Sequence, residues 1–286
     1  MSKANILMIG NCVLDEIWTL AHYPAQDEEM RAENRRQSLG GNACNSAQIL
    51  AQLGDDVALM TTLADDDDAR WMLGQLARLG VSTHNCRHIE NTRSARSVIW
   101  LNRQNGSRTI VHHRDLPELG ATDLLSVATD NLRWVHLEGR NIDRLLDAVP
   151  KMQLACPLSL EIEKPRANIK KLLPLVNSVI VSKAYLSARG IDAHQCIDEF
   201  QRINPALAII CTLGERGVMA IDGKNDFFEL AAEPVEQVID SIGAGDCFIA
   251  GFIHQRLHAQ DFPAAVAFAN RLAANKIQQQ GININV

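Results

Sequence analysis

The sequence has no long hydrophobic segment and no cluster of basic residues. No apolar run reaches the ~20 residues that a membrane-spanning helix needs, and no N-terminal apolar run precedes a cleavage pattern. We therefore expect a soluble, cytoplasmic protein without a membrane partner. Lys and Arg number 28 against 34 Asp and Glu, which gives a net charge of −6. Because affinity for a nucleic-acid backbone needs clustered cations, this balance argues against nucleic acid as a partner.

The cysteines show no disulfide pattern. Seven are present, an odd number, and their positions have no paired spacing. This distribution fits a reduced cytosol better than a disulfide framework. With 286 residues, 47% of them hydrophobic, the chain can form the core of one large or two small α/β domains.

Short apolar runs alternate with helical patterns along most of the chain. Apolar strands separated by helices are typical of a mostly parallel sheet covered on both faces, whose ligands bind beyond the carboxyl ends of the strands. The predicted strands are Ile6–Ile9, Val57–Leu63, Trp134–Glu138, Leu158–Ile162, Val179–Ser182 and Ala208–Thr212. The predicted helices are Asn45–Leu53, Asp67–Leu79, Ile191–Ile203, Asp246–His258 and Pro263–Gln278.

Two segments depart from this rhythm. Residues around 12–38 are polar, and residues around 92–114 alternate between apolar and polar side chains. Such alternation is typical of an antiparallel sheet with one exposed face. We therefore expect a small second sheet from these segments.

The motif with the most chemical content is Gly243-Ala244-Gly245-Asp246, directly before an apolar helical pattern. Backbone N–H groups at a helix start carry partial positive charge, and small residues let a phosphate approach them. Asp246 is a poor phosphate ligand but suits a base that accepts the proton of an attacking hydroxyl. With an ordinary pKa near ~3.9 it would be ionised at neutral pH. The motif indicates a kinase for alcohols; the alternative is a loop with an Asp N-cap.

A second motif, Gly41-Asn42-Ala43-Cys44-Asn45, leads into a helical pattern. Asn42 and Asn45 lie three positions apart, so both amides can face one pocket. An amide offers donors and an acceptor together, which suits a polyol. The alternative is that one asparagine caps the helix and the other is solvated.

The two motifs together resemble the two signatures of the PfkB, or ribokinase-like, carbohydrate kinases, and they occur in the same order. The resemblance covers essentially the whole chain. Within the family it is greatest to the ketohexokinase (fructokinase) subgroup, through residues 13–15, 106–110, 136–141, 161–166 and 181–183.

The resemblance implies a fold and an activity. The fold is a three-layer α/β/α ribokinase-like domain over residues 1–286, with a mostly parallel central sheet. A small β-sheet lid over the sugar site, built from about 12–38 and 92–114, would also make the contact of a homodimer. The activity is ATP-dependent transfer of the γ-phosphate to a hydroxyl of a ketohexose, with D-fructose giving fructose 1-phosphate.

The resemblance also implies site residues. The catalytic residues are Asp246 as the base, with Gly243, Ala244 and Gly245 as the anion hole. The substrate-binding residues are Asp15, Gly41, Asn42, Asn45 and Asp246. The ATP-binding residues are Arg108, Lys183, Thr212, Leu213, Gly214, Gly217, Gly245 and Asn270. From the sequence alone, Arg108 could equally be a solvated strand residue and Lys183 a surface residue.

The sequence leaves open which residues contact the metal ion. ATP chemistry requires Mg²⁺, but Ser182-Lys183-Ala184-Tyr185 stands where many family members carry Asn-x-x-Glu. Ketohexokinase also lacks that motif, and Glu161 and Glu163 are the nearest candidate carboxylates, acting through water. The family further allows a K⁺ site beside the anion hole, for which the sequence offers no motif.

Two other groups of potential metal ligands have simpler explanations. The acids Asp65–Asp68 gather at the first turn of a predicted helix, whose positive end stabilises them. His254 and His258 are one helical turn apart, but no third ligand lies near them in the sequence. We therefore expect surface histidines rather than a metal site.

Several other functions remain open besides the predicted ketohexokinase activity. A kinase of the same family could act on ribose, another sugar or a nucleoside. A non-catalytic sugar-binding regulator could use the same fold, although a pure binder has no need of Asp246 as a base. A dinucleotide oxidoreductase is disfavoured, because Ile9-Gly10-Asn11-Cys12 stands where a Gly-x-Gly-x-x-Gly would follow the first strand.

Overall fold

The computed structural model describes residues 5–258 and 260–284. Its strands are β1 (Ile6–Ile9), β2 (Val13–Leu20), β3 (Asn34–Gly40), β4 (Val57–Met60), β5 (Thr62–Ala64), β6 (Arg87–Ile89), β7 (Arg96–Asn102), β8 (Arg108–His113), β9 (Trp134–Glu138), β10 (Leu158–Ile162), β11 (Ser178–Val181), β12 (Ala208–Thr212), β13 (Val218–Ile221) and β14 (Phe227–Leu230). Its α-helices are α1 (Asn42–Gln52), α2 (Asp67–Arg78), α3 (Ala121–Leu125), α4 (Ile142–Ala148), α5 (Lys183–Arg189), α6 (Ala193–Ile203), α7 (Ala244–Leu257) and α8 (Phe262–Ile277).

The main sheet has eight strands in the order β14-β13-β12-β11-β10-β9-β1-β4. All neighbours from β12 to β4 are parallel, and only β13 and β14 are added antiparallel at one edge. Side chains alternate between two cores: Ile6 and Met8 of β1 join the core under α1, α2, α7 and α8, whereas Leu7 and Ile9 join the core under α3 to α6. The predicted three-layer α/β/α fold with a mostly parallel sheet is confirmed.

The predicted boundaries differ from the structure mainly at residues 57–63. The single strand predicted there is divided at Thr61, whose hydroxyl accepts the Cys12 N–H and whose carbonyl accepts the Arg87 N–H. These bonds take the chain out of the main sheet, and β5 then pairs with β6. Such a division depends on partners that are distant in sequence, so the apolar run alone could not predict it.

The second sheet has four strands in the order β3-β2-β7-β8. The β2–β3 and β7–β8 pairs are antiparallel, as expected for these segments. The central β2–β7 pair is parallel, a pairing that the expected antiparallel sheet did not include. One face of this sheet, with Asp15 and Ser97 in register, is turned toward the start of α7.

Among residues 5–258 and 260–284, no helix has both the length and the hydrophobicity needed to cross a membrane.

Candidate active site

The site is built where α1 and α7 begin. Asp246 lies in the first turn of α7, and its carboxylate accepts a hydrogen bond of 2.7 Å from Asn45 Nδ2. Ser46 Oγ donates to the Asp246 carbonyl at 3.1 Å. The N-cap of α7 is Gly243, so the interpretation of Asp246 as an N-cap is wrong. The Asp246 carboxylate is held by Asn45 of the neighbouring helix α1 rather than by the start of α7.

Neither asparagine of α1 caps that helix. The N-cap is Gly41, without a side-chain hydrogen bond, and Asn42 Nδ2 instead donates to Glu161 Oε1 at 2.9 Å. Gly41 has φ 94°, and a Cβ there would lie 2.3 Å from the Asn11 carbonyl oxygen. Only glycine fits this position, so the turn fixes where both amides point. The alternative of one capping and one solvated asparagine is therefore wrong.

A cleft collects the predicted sugar-contacting residues. Its cavity volume is about 270 Å³, near the lower end of the roughly 300–1,000 Å³ of small-molecule sites. Its lining includes Asp15, Gly41, Asn42, Asn45, Arg108, Gly243 and Asp246. The residues come from α1, α7 and the small sheet, which covers the cleft. Their role in binding a sugar stays a prediction.

Burial raises the pKa of Asp246 from 3.8 to about 8. The negative charges of Glu138, Glu163 and Asp15 act in the same direction, and the hydrogen bond from Asn45 opposes them. Burial likewise raises the pKa of Asp15 to about 6. The expected ordinary pKa of Asp246 is therefore wrong, because tertiary structure gathers several carboxyl groups around a desolvated one.

This raised pKa predicts a pH-dependent stability difference for Asp246→Asn. An acid with a pKa of about 8 in the folded protein and 3.8 in the unfolded chain binds more protons in the folded state between these pH values. Its contribution to stability is therefore lost as the pH rises through them. Without divalent cations, the unfolding free energy of the variant relative to wild type should increase from pH 5 to pH 8. The slope is up to about 1.4 kcal/mol per pH unit. Urea unfolding of both proteins at each pH measures this difference in unfolding free energy. A difference that does not change with pH would contradict the prediction.

Glu161 is the carboxylate that lacks a full set of partners. It is buried, Oε1 accepts from Asn42, and Oε2 is buried without a hydrogen-bond partner in the part of the chain that the structure describes. Burial, with Asp246 and Glu138 nearby, raises its pKa well above the ordinary value. Glu138 is satisfied by the Asn11 N–H at 2.8 Å and Arg140 Nε at 2.7 Å. An orphaned carboxylate oxygen fits a divalent cation such as Mg²⁺.

The loop before α7 brings Gly243 and the first amides of the helix together, and its role as an anion site stays a prediction. Gly243 has φ 78°, which turns the chain into the helix. The Ala244 N–H donates a hydrogen bond of 3.4 Å to the Ser241 carbonyl. First-turn amides such as that of Gly245 have no carbonyl one turn earlier in the helix. Arg108 donates to Ser241 Oγ at 2.6 Å, so its guanidinium lies beside this loop rather than free on its strand.

The remaining predicted nucleotide residues form a second region. Lys183 Nζ donates to Glu215 Oε1 at 2.7 Å and lies beside Gly214. Gly217 packs against Ala231, whose carbonyl accepts from Asn270 Nδ2 at 2.8 Å. None of these residues lines the cleft around Asp246 as the described residues form it.

Thr212 and Leu213 use their side chains in the fold. Thr212 Oγ1 donates to the Val181 carbonyl at 3.3 Å, and Leu213 is buried. A nucleotide would therefore meet only their backbone. The contact of this loop with ATP stays a prediction.

Comparison with known proteins shows the family of this chain. Residues 3–286 match the family described as pfkB family carbohydrate kinase. The chain belongs to this family. The ketohexokinase of Mus musculus is 29% identical over 297 residues, 99% of this chain and 99% of the relative. The ribokinase of Bacillus subtilis (strain 168) is 27% identical over 277 residues, 94% of this chain and 92% of the relative.

A solved structure shows the same fold. The Arabidopsis thaliana ribokinase complexed with ribose and ATP has a TM-score of 0.79 with this pfkB-family kinase, at 19% identity, over 98% of this chain and 94% of that chain. The predicted family and its ribokinase-like fold are confirmed.

Sequence reasoning missed part of the lining of this pfkB-family kinase. Ser97, His112, Glu138, Arg140 and Lys164 all line the cleft. Glu138 and Arg140 could have been found, because they stand at the carboxyl end of a buried parallel strand, where such sheets bind ligands. Ser97 and His112, whose side chains are 3.1 Å apart, gave no local signal, because only the pairing of β7 with β8 brings them together.

Proposed function

We propose that this carbohydrate kinase transfers the γ-phosphate of ATP to a hydroxyl of a ketohexose, with D-fructose giving fructose 1-phosphate. The observation that carries the proposal is the buried carboxylate of Asp246, held at 2.7 Å by Asn45 beside the first amides of α7. A base next to an anion-binding helix start is what phosphoryl transfer to an alcohol requires. The likeness to ketohexokinase over 99% of both chains supports the ketohexose.

In the proposed reaction Asp246 takes the proton of the attacking hydroxyl. The hydroxyl oxygen then forms a bond to the γ-phosphorus while the bond from phosphorus to the bridging oxygen of ADP breaks. Burial raises the pKa of Asp246 to about 8. Its ionised form is therefore a stronger base than an ordinary carboxylate but the minority form at pH 7, and a cation bound nearby would increase its share. The amides at the start of α7 and the Arg108 guanidinium would stabilise the negative charge of the phosphate.

Mg²⁺ would be held by Glu161, with Glu163 nearby, and would neutralise charge on the phosphates when it binds with ATP. Glu161 Oε2 is buried without a partner in residues 5–258 and 260–284, and Asn42 orients the other oxygen. Glu163 lines the cleft and has 40% of its side chain exposed. Direct or water-mediated coordination by this pair would relieve a desolvated carboxylate.

The sugar would bind to the polar wall formed by Asp15, Asn42 and Asn45. All three line one cleft, and Asp15 and Asn45 are buried. Buried donors and acceptors discriminate strongly against an analogue that lacks a hydroxyl, because their own hydrogen bonds are then left unmade.

A ribose or nucleoside kinase of the same family is the second candidate, supported by the 27% identity to ribokinase. A non-catalytic sugar-binding regulator is disfavoured. Keeping Asp246 buried among other acids opposes folding at neutral pH, and a pure binder gains nothing from that base.

The test is ADP formation from Mg-ATP with D-fructose, D-ribose, adenosine and fructose phosphates, each at matched concentrations. We expect the highest kcat/KM with D-fructose. If turnover is highest with ribose or adenosine, the protein is a kinase as proposed but its substrate is not a ketohexose. Tight sugar binding without turnover on any substrate would support the regulator and contradict the proposed reaction.

We further propose that the chain is one domain with the four-stranded sheet as a lid, and that the lid joins two chains into a homodimer. The face of this sheet opposite the cleft carries Trp18, Val98, Trp100 and Val111. Val111 is 58% exposed, and Trp18 Nε1 has no partner among the described residues. The same face carries Glu16 in ion pairs with Arg35 and Arg96, and a mixture of exposed apolar and charged side chains suits an interface.

The homodimer proposal predicts a change of mass on Val111→Glu. Wild type should sediment at twice the mass of one chain, and the variant as a monomer, because a buried charge opposes association. Glu229→Ala, an exposed change on another sheet edge, is the control. Equal masses for wild type and Val111→Glu would contradict this interface.

A further inference from the structure

A cluster of metal-ligating side chains lies away from the active site. His254 and His258 stand near the carboxyl end of α7, and Asp55 follows α1 in the turn that leads to β4. His254 Nδ1 lies 2.8 Å from Asp55 Oδ2, and His258 Nε2 lies 3.4 Å from Asp55 Oδ1. No third ligand lies near the two histidines in the sequence, and the structure brings one from 199 positions earlier, the carboxylate of Asp55.

The three residues offer a donor set that suits a transition metal. Each supplies one ligand atom, and the three atoms all lie within 4.8 Å of one another. Two imidazoles and one carboxylate are a known combination for Zn²⁺, with bonds of roughly 2.0–2.2 Å and a fourth position for water. Within residues 5–258 and 260–284, no other three His, Cys, Asp or Glu side chains meet this criterion.

The cluster is partly preorganised. The Asp55 side chain is 9% exposed and that of His254 is 16% exposed, whereas His258 is 57% exposed. The two inner ligands are thus held by packing, and the rings of His254 and His258 have centroids 4.5 Å apart. The ligand atoms around a tetrahedral zinc lie roughly 3.4 Å apart. His258 Nε2 already lies 3.4 Å from Asp55 Oδ1, and the 2.8 Å hydrogen bond between His254 Nδ1 and Asp55 Oδ2 would lengthen as the ion replaces it. The exposure of His258 lets an ion reach the site.

A simpler explanation is a hydrogen-bonded pair at a helix end. A histidine in the last turn of a helix is favoured by the negative end of its dipole, and the pair of His194 with Glu229 at 3.7 Å needs nothing more. The simpler explanation covers His254 with Asp55. A hydrogen-bonded pair at a helix end gives no reason for the His258 ring to face the other carboxylate oxygen of Asp55.

We propose that Asp55, His254 and His258 bind a divalent cation of the Zn²⁺ class. The ion would join the end of α1 to the end of α7. These are the two helices whose opposite ends carry Asn45 and Asp246, so a bound ion would stabilise the pair on which the active-site contact depends. The site and its test are independent of the substrate of the kinase.

The experiment uses full-length protein freed of metal with EDTA and titrated with Zn²⁺ and Co²⁺. Variants are His258→Ala, which changes an exposed side chain, and Asp55→Asn, with His194→Ala as the matched control. Wild type and His194→Ala should bind one equivalent and unfold at a higher temperature with Zn²⁺. Bound Co²⁺ should give tetrahedral d–d absorption without a thiolate charge-transfer band. Since loss of an outer-shell partner alone costs about 10–100-fold in affinity, His258→Ala should lose roughly 100-fold.

Two outcomes would overturn the proposal. One is saturable binding of equal affinity in wild type and His258→Ala, which would locate the ion at the active-site carboxylates or at a thiol. The other is the absence of a one-equivalent phase in wild type. If Asp55→Asn lowers the folded fraction, His258→Ala decides the matter alone.

Discussion

Asp246→Asn is expected to lower kcat by roughly 10²–10⁴ while D-fructose binding remains measurable. The substitution keeps the size of the side chain and the neighbouring Asn45, but an amide does not accept the hydroxyl proton. Asp246 is buried at the start of α7, so water does not readily take over as the base. Steady-state kinetics with Mg-ATP and sugar, together with calorimetric sugar binding, measure the two effects separately.

Asp67→Asn is the matched control for that prediction. Asp67 also lies in the first turn of a helix, α2, but its side chain is 95% exposed. Removing its charge should leave kcat within a factor of about 2, because an exposed ion pair contributes little. Turnover near the wild-type rate in Asp246→Asn would end the assignment of this residue as the base.

Gly245→Ala is expected to lower kcat roughly 10²-fold while the protein becomes more stable. A Cβ at Gly245 would meet no atom within 4 Å, so the fold accepts it. Replacing glycine by alanine in a helix favours folding by about 1 kcal/mol. In the kinase the same methyl group would keep the γ-phosphate from the first amides of α7, and losing one such donor costs about 2.7–4 kcal/mol of barrier. Thermal unfolding and kcat measured on one sample give both values.

Gly74→Ala is the control that separates the effect of a helical alanine on stability from its effect on catalysis. Gly74 is an exposed glycine within α2, and a Cβ there also meets nothing within 4 Å. Both alanine variants should unfold at a higher temperature than wild type, and only Gly245→Ala should lose turnover. Full activity in Gly245→Ala would mean that residues 243–245 only form the start of α7 and do not bind a phosphate.

Much of the fold could be predicted because its signals are local. The strands Ile6–Ile9, Trp134–Glu138, Leu158–Ile162 and Ala208–Thr212 were predicted with their observed bounds. Each is a short apolar run between turn or helix signals, and burial on both faces leaves little freedom for its length. The start of α1 was predicted three residues late, because the glycine that caps it was assigned to the preceding loop.

The residues at the two helix starts could be predicted from the motifs, whereas the electrostatics of the cleft could not. The motifs locate Asn45 and Asp246 at two helix starts. The pKa of Asp246, however, depends first on its burial and then on Glu138, at the end of β9, and Glu163, directly after β10. The same limit applies to Asp55, which reaches His254 only through the packing of α1 on α7. Spacing along a chain fixes which side chains share a helix face, whereas distances between loops depend on the whole fold.

The central claim is that the cleft at Asp246 phosphorylates a sugar, and product analysis tests it most directly. Protein, Mg-ATP and D-fructose are mixed, and ADP and phosphorylated ketose are quantified by mass spectrometry and ³¹P NMR for wild type and Asp246→Asn. The account predicts equal amounts of ADP and fructose 1-phosphate with wild type, and a loss of both in the variant. ADP formation that does not depend on any added sugar, or that persists in Asp246→Asn, would contradict it.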